Sequence, residues 1–298
     1  MPAQSIDSPA PSQYKSIKEL IEEQFVSGGL KLPVFNPVAL ELRKTLQTEN
    51  KMSMKDIADL IMKDQSLASH LLRLANSSFY GGLKRIDTIS AALVRLGMER
   101  VVNLAMVTSQ LLAHTTKVDS IAPYMSALWT RSFVCANGGR WLACETGYDD
   151  RAEEAFLAGL LHDIGELSLL KMLEKLSKDQ TLSLALTDSL LNEILDTLHT
   201  DIGYRLMTKW QLPEVYARIA RDHHAERFDE GDPLLLIIRL MDILCRKLGV
   251  GQAADPEIEL AATPEAQVLG LKDIKLAELE VLMEDVMAES DTLLSSVY

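Results

Sequence analysis

Residues 56–79 read DIADLIMKDQSLASHLLRLANSSF. Apolar residues recur at helical spacing: Ile57, Leu60 and Ile61 share one face, and Leu67, Leu71, Leu72 and Leu74 follow a short break at Lys63–Gln65. Upstream, SMKD at 53–56 is a capping-box-like start with Asp56 placed to help the exposed amides. Downstream, SSFYGG stops the second segment. Two short helices joined by a tight turn are also the outline of a helix-turn-helix reader of DNA. The second helix, however, offers only Ser66, Ser69, His70 and Arg73, and one strong cation is little for phosphate contact. A packed helical hairpin is the better reading.

The same period extends in both directions. YKSIKELIEEQFVS predicts a helix ended by Gly28 and Gly29, and after Pro33 the residue Pro37 opens VALELRKTL. Thr88 caps TISAALVRL, Gly97 interrupts, and MERVVNLAMVTSQLLAH resumes. Further helices are predicted over Pro123–Thr146, Glu153–Leu176, 183–209, 213–227 and 233–248, with a last one from Leu271. No segment alternates with a period of two for long, so the fold class is all-α. The expected organisation is a mobile Pro/Ser-rich segment 1–13, an N-terminal helical lobe 14–118, a second lobe 119–250, and a polar connection with a C-terminal helix 251–298. The last helix belongs either to the second lobe or to a dimer contact; the oligomeric state is not legible.

The 298 residues carry a formal net charge of −13, which argues against broad binding to nucleic acid or to anionic membrane. The most apolar run, Leu234–Cys245, is interrupted by Arg239 and Asp242 and is too short to span a bilayer. Cys135, Cys144 and Cys245 form no CxxC and read as reduced thiols, and no signal peptide is expected at the start, so a cytoplasmic location is expected. Met98, Met106 and Met207 fit core filling. His70 and His114 read as surface or boundary residues.

Ala155–Leu167, AFLAGLLHDIGEL, is apolar almost throughout yet sets His162 beside Asp163. A buried imidazole and carboxylate need partners. The run IADLIMKDQSLASHLLRLANSSFYGG, with LVRLGMERVVNLAMVTSQ and the upstream LPVFNPVALELRKTL, closely resembles the HDOD domain of bacterial signalling and regulatory proteins, from about Leu32 to about Leu248. That family is all-α, with two packed lobes, and is related to the HD superfamily of metal-dependent phosphohydrolases. The resemblance implies that His162, Asp163, His199, His223, His224 and Asp242 converge from separate helices on one or two divalent metals, with Fe, Mn, Ni or Zn suited to such ligands.

Two departures bear on catalysis. The superfamily's first histidine, in a W-x-H-S context, is replaced: this chain reads WTRS, with Arg131, which cannot ligate a metal. Where hydrolases often read HDIGK, this chain has HDIGE, with Glu166, losing a phosphate contact. The expected centre is therefore a buried charge trio, Arg131 with Asp163 and Asp242, that holds helices in register, with Arg131 and Glu166 as the candidate ligand or charge-centre residues. Metal held by the remaining ligands is the alternative. Taken singly, His199 reads as lying on a polar helix face with Asp196, and His223 and His224 as helix-end residues favoured by the dipole. No catalytic residue is assigned. The expected function is signalling or regulation by binding a protein or small-molecule partner, against a metal-dependent phosphohydrolase or cyclic-dinucleotide phosphodiesterase and, more weakly, a DNA-binding regulator.

Overall fold

The computed structural model describes residues 17–26, 36–46, 52–77, 80, 84–179, 186–251 and 253–297. The helices are α1 (Ile17–Val26), α2 (Pro37–Thr45), α3 (Met54–Met62), α4 (Gln65–Ala75), α5 (Ile89–Leu96), α6 (Met98–Ala113), α7 (Ala122–Glu145), α8 (Ala152–Leu161), α9 (Ile164–Lys178), α10 (Asp188–Lys209), α11 (Glu214–Asp222), α12 (Pro233–Leu248), α13 (Pro264–Val268) and α14 (Asp273–Ser295). Among the described residues there is no strand. The expected mobile segment 1–13, the stop at Gly28–Gly29, Pro33 and the Gly81–Gly82 pair lie outside the described residues.

Local chemistry sets the helix starts. Ser53 and Asp56 make a reciprocal capping box on α3, as their spacing predicts. Asn36 caps α2 with Pro37 in its first turn, and Thr88 caps α5. Asp232 caps α12, Pro233 opens it, and Gly249 closes it in the left-handed conformation. Between α12 and α14, the connection expected to be merely polar holds a short 3-10 turn and α13.

Helices α2 to α6 pack on one another, as do α7 to α12, and the two sets meet where α6 lies against α7 and α8. Val101–Leu111 of α6 is buried without interruption, as expected of a helix enclosed on all sides. The apolar core is one cluster running from Ile21 to Leu294. α1 lies against α9, and its Glu22 pairs with Arg205 of α10 at 2.8 Å. α14 packs along α7: Trp129 Nε1 donates to the Ser290 carbonyl at 3.1 Å, and Glu145 takes Lys275 at 2.9 Å. The last helix is thus seated on the second set.

The sequence suggested one helix over Glu153–Leu176, but the chain breaks at His162–Asp163, between α8 and α9. Asp163 leaves helical geometry, at φ −99° and ψ 22°. The glycines beside the break explain the close fit. A Cβ on Gly159 would lie 2.3 Å from the Cys135 carbonyl oxygen, and one on Gly165 only 1.9 Å from that of His199. Both sites therefore admit backbone-to-backbone contact that any side chain would prevent. α10 begins at Asp188 rather than 183, capped by Thr187.

Candidate functional site: a histidine–aspartate centre closed by an arginine

The break between α8 and α9 turns Asp163 away from helix capping. It stands at the N-cap of α9 yet makes no side-chain cap bond. Its carboxylate instead meets side chains from α7, α10 and the C-terminal ends of α8 and α11. Arg131 of α7 donates from Nε to Asp163 Oδ2 at 2.6 Å, and its Nη2 lies 2.6 Å from Glu166 Oε2 in the first turn of α9. His162 Nε2 lies 3.0 Å from the same Oδ2. On the other side, Oδ1 faces His223 Nε2 at 3.2 Å and His199 Nε2 at 3.9 Å. Asp163 is 2% exposed.

The ring orientations are fixed by backbone. Nδ1 of His162 faces the Gly159 carbonyl at 2.8 Å, Nδ1 of His199 that of Leu195 at 2.8 Å, and Nδ1 of His223 those of Ile219 and Ala220. A carbonyl only accepts, so each Nδ1 carries a proton and each ring turns its Nε2 into the centre. No hydrogen-bond partner reaches those three Nε2 atoms or Asp163 Oδ1, and all four are buried. Acceptors converging without a donor call for a cation. One nitrogen each from His199, His223 and His224, with an oxygen of Asp163, all lie within 4.8 Å of one another. This nitrogen-rich set fits a divalent ion of the zinc, nickel or iron type better than magnesium or calcium.

Charge follows the geometry. Burial pushes the Asp163 carboxyl up, but Arg131 and His162 outweigh it and hold it well below the usual range. Burial raises Glu166, helped by Asp163 against the pull of Arg131. Burial lowers His162, and Asp163 more than offsets that, leaving it raised. His224 is lowered to about 4 by burial and then by His223.

Several sequence expectations need correction. Arg131 pairs with Asp163 and Glu166; the third member expected, Asp242, is instead near His224 Nδ1 at 3.6 Å and Arg246 Nε at 3.8 Å. Glu166, set at the charge centre with Arg131 from the sequence, is the arginine's second partner in place of Asp242. His199 shares the cleft-lining face of α10 with Asp196 but is itself buried, its Nε2 turned to Asp163. His114, expected near the surface, is 1% exposed and packs edge-on against Trp129. Met106 and Met207 are buried in the core, as their setting suggests.

The sequence reading missed Arg239. From α12, its Nη1 donates to the carbonyls of His223 and Ala225 at 2.9 Å each, and its Nε pairs with buried Glu265 at 2.8 Å. It closes the C-terminal end of α11 and so positions the His223–His224 pair. The signal was present, since an arginine within an otherwise apolar helix needs a buried acceptor.

His199 and His224, with Asp196, Thr200, Arg221 and Ala225, line an open cleft of about 440 Å³ that leads to the centre.

The protein is all-α, with a buried histidine–aspartate centre. Residues 32–226 match the HDOD domain, and the chain belongs to the HDOD family. An uncharacterized protein of Treponema pallidum (strain Nichols) is 27% identical over 228 residues, covering 73% of this chain but 42% of that protein. The chain thus spans less than half the length of that relative. Among solved structures, an HDOD domain protein of unknown function from Geobacter sulfurreducens aligns with TM-score 0.71 at 23% identity, over 92% of this chain and 97% of that one. A candidate phosphohydrolase from Shewanella amazonensis SB2B aligns with TM-score 0.64 at 20% identity, over 94% and 98%. A candidate signal transduction protein from Marinobacter aquaeolei VT8 aligns with TM-score 0.61 at 22% identity, over 95% and 66%. These likenesses carry the fold alone. No described helix is long and apolar enough to cross a membrane.

Proposed function

We propose that this chain is a regulatory protein that acts by binding a protein or small-molecule partner, and that its HD centre is degenerate and does not hydrolyse phosphoesters. The observation that carries this reading is the Arg131 guanidinium seated 2.6 Å from both Asp163 and Glu166. It is a permanent charge where the resemblance calls for a metal-ligating histidine, and it consumes one oxygen of the central carboxylate. An ion held on the other side of Asp163 would supply Lewis acidity; Arg131 supplies none, and Glu166 offers phosphate only repulsion.

Partner binding is supported by a groove of about 650 Å³ where α4 and residues 85–87 meet the end of α14. Its lining combines Leu72 and Leu293 with Arg73, Arg85 and Glu289. The net charge of −13 favours a partner with a basic patch. The alternative, a metal-dependent phosphohydrolase or cyclic-dinucleotide phosphodiesterase, is kept open by the surviving His199, His223 and His224 donors. Turnover of mono- and diester substrates by manganese- or iron-supplemented protein separates the two. Rates equal to those of Asp163→Ala are expected; turnover that disappears in Asp163→Ala overturns the proposal.

A further inference from the structure

The carboxylate of Asp163 has two sides, and they are differently equipped. Oδ2 meets Arg131 and His162. Oδ1 meets His223 and His199, with His224 close by and no donor in reach. We infer that Arg131 is a built-in second cation that divides the HD cluster, leaving a receptor for one divalent ion held by Asp163, His199, His223 and His224, with His162 and Asp242 outside the ligand set. This rests on the reading of the centre as non-hydrolytic and adds what the remaining half binds.

Three observations carry it. First, His162 sits on the arginine's side of Asp163, whereas the four other donors lie within 4.8 Å of one another without it. Secondly, each inward Nε2 of His199 and His223 is held by a carbonyl behind its ring, the arrangement that fixes the tautomer of a ligating histidine. Thirdly, two buried carboxylates, Asp163 and Glu166, share the one Arg131 guanidinium, and Asp242 approaches His224 Nδ1 at 3.6 Å on the far side, so the centre has room for further positive charge. A second divalent ion beside Oδ2 would stand against the guanidinium and is excluded by repulsion. Imidazole-rich donors select zinc, nickel, cobalt or ferrous iron over magnesium. His224, with its side chain 45% exposed, opens onto the cleft beside Arg221, so the ion can be exchanged from solvent. The receptor spans α9, α10 and α11, and filling it ties those helices together.

The test is titration of chelator-stripped full chain with Co²⁺, read by elemental analysis after dialysis and by visible absorption, with circular dichroism confirming the fold of each variant. One ion per wild-type chain is expected. His162→Gln should keep it with less than a threefold change in affinity, while His223→Gln and His224→Gln should each weaken it at least tenfold. Arg131→His should take two. Two ions in the wild type, or loss of the ion in His162→Gln, overturns the one-ion receptor and the role given to Arg131. No ion bound by folded wild type overturns the receptor alone and leaves the non-hydrolytic reading standing, which only turnover removes.

Discussion

At the scale of single residues, Arg131 decides the character of the centre. Removing it strands Asp163 and Glu166 in the interior with no permanent cation. Breaking a buried pair in this way costs about 3 kcal/mol or more. Arg131→Met is therefore expected to lose at least about that much stability in urea unfolding at neutral pH, with Arg131→Lys losing less; a neutral Arg131→Met would contradict the pairing. His114 gives a second residue-scale expectation. Burial lowers its pKa to about 4, against an ordinary 6.5. The unfolded chain then binds the proton first, so stability falls as pH drops from about 6.5 to about 4, by up to about 3 kcal/mol, and this group adds nothing further below. His114→Leu should flatten that part of the stability–pH profile. His162, Asp163 and Arg131 were legible in the sequence because the family resemblance marks their positions. Glu166 was placed at the charge centre from the sequence too, but its direct pairing with Arg131 was not legible, because it depends on α9 starting afresh at Ile164, which places Glu166 beside α7.

At the scale of elements, the helices were legible and their interruptions less so. Pro233 and Gly249 announce both ends of α12. The stretch around His162 announces nothing, because an apolar run looks the same whether or not it kinks. What bends it is contact with neighbours remote in sequence, read only once Gly159 and Gly165 are seen against other backbones. Gly165→Ala is expected to cost more than about 2 kcal/mol through overpacking against His199, and to disturb the centre with it. Gly203, also helical, meets nothing nearer than 3.4 Å, so Gly203→Ala should be neutral or up to about 1 kcal/mol stabilising. Equal effects at the two glycines in thermal unfolding would refute the close approach at Gly165. Arg239→Ala, which frees the carbonyls of His223 and Ala225 and strips buried Glu265, should destabilise by about 3 kcal/mol.

At the scale of the whole molecule, one apolar core joins both sets of helices and includes α14. Leu276, Leu279, Met283, Val286 and Leu293 are buried from that helix alone. At roughly 1.5–3 kcal/mol for each buried side chain, their sum approaches the whole stability of an ordinary domain. Deletion of residues 271–298 should therefore give a chain that binds a hydrophobic dye and shows no cooperative melting transition. The seat of α14 was illegible in the sequence, since its exposed Ile274 and Val281 blur the helical stripe that would have named the packed face. The ion receptor also acts at this scale: an ion at a hundredfold its dissociation constant should stabilise the fold by about 2.7 kcal/mol.

The most direct measurement of the central claim is anomalous diffraction from crystals of the cobalt-loaded protein. The expected map has a single peak among His199, His223, His224 and Asp163, with the Arg131 guanidinium still bound to Asp163 and Glu166. A peak between His162 and Asp163, with Arg131 swung out to solvent, would contradict it.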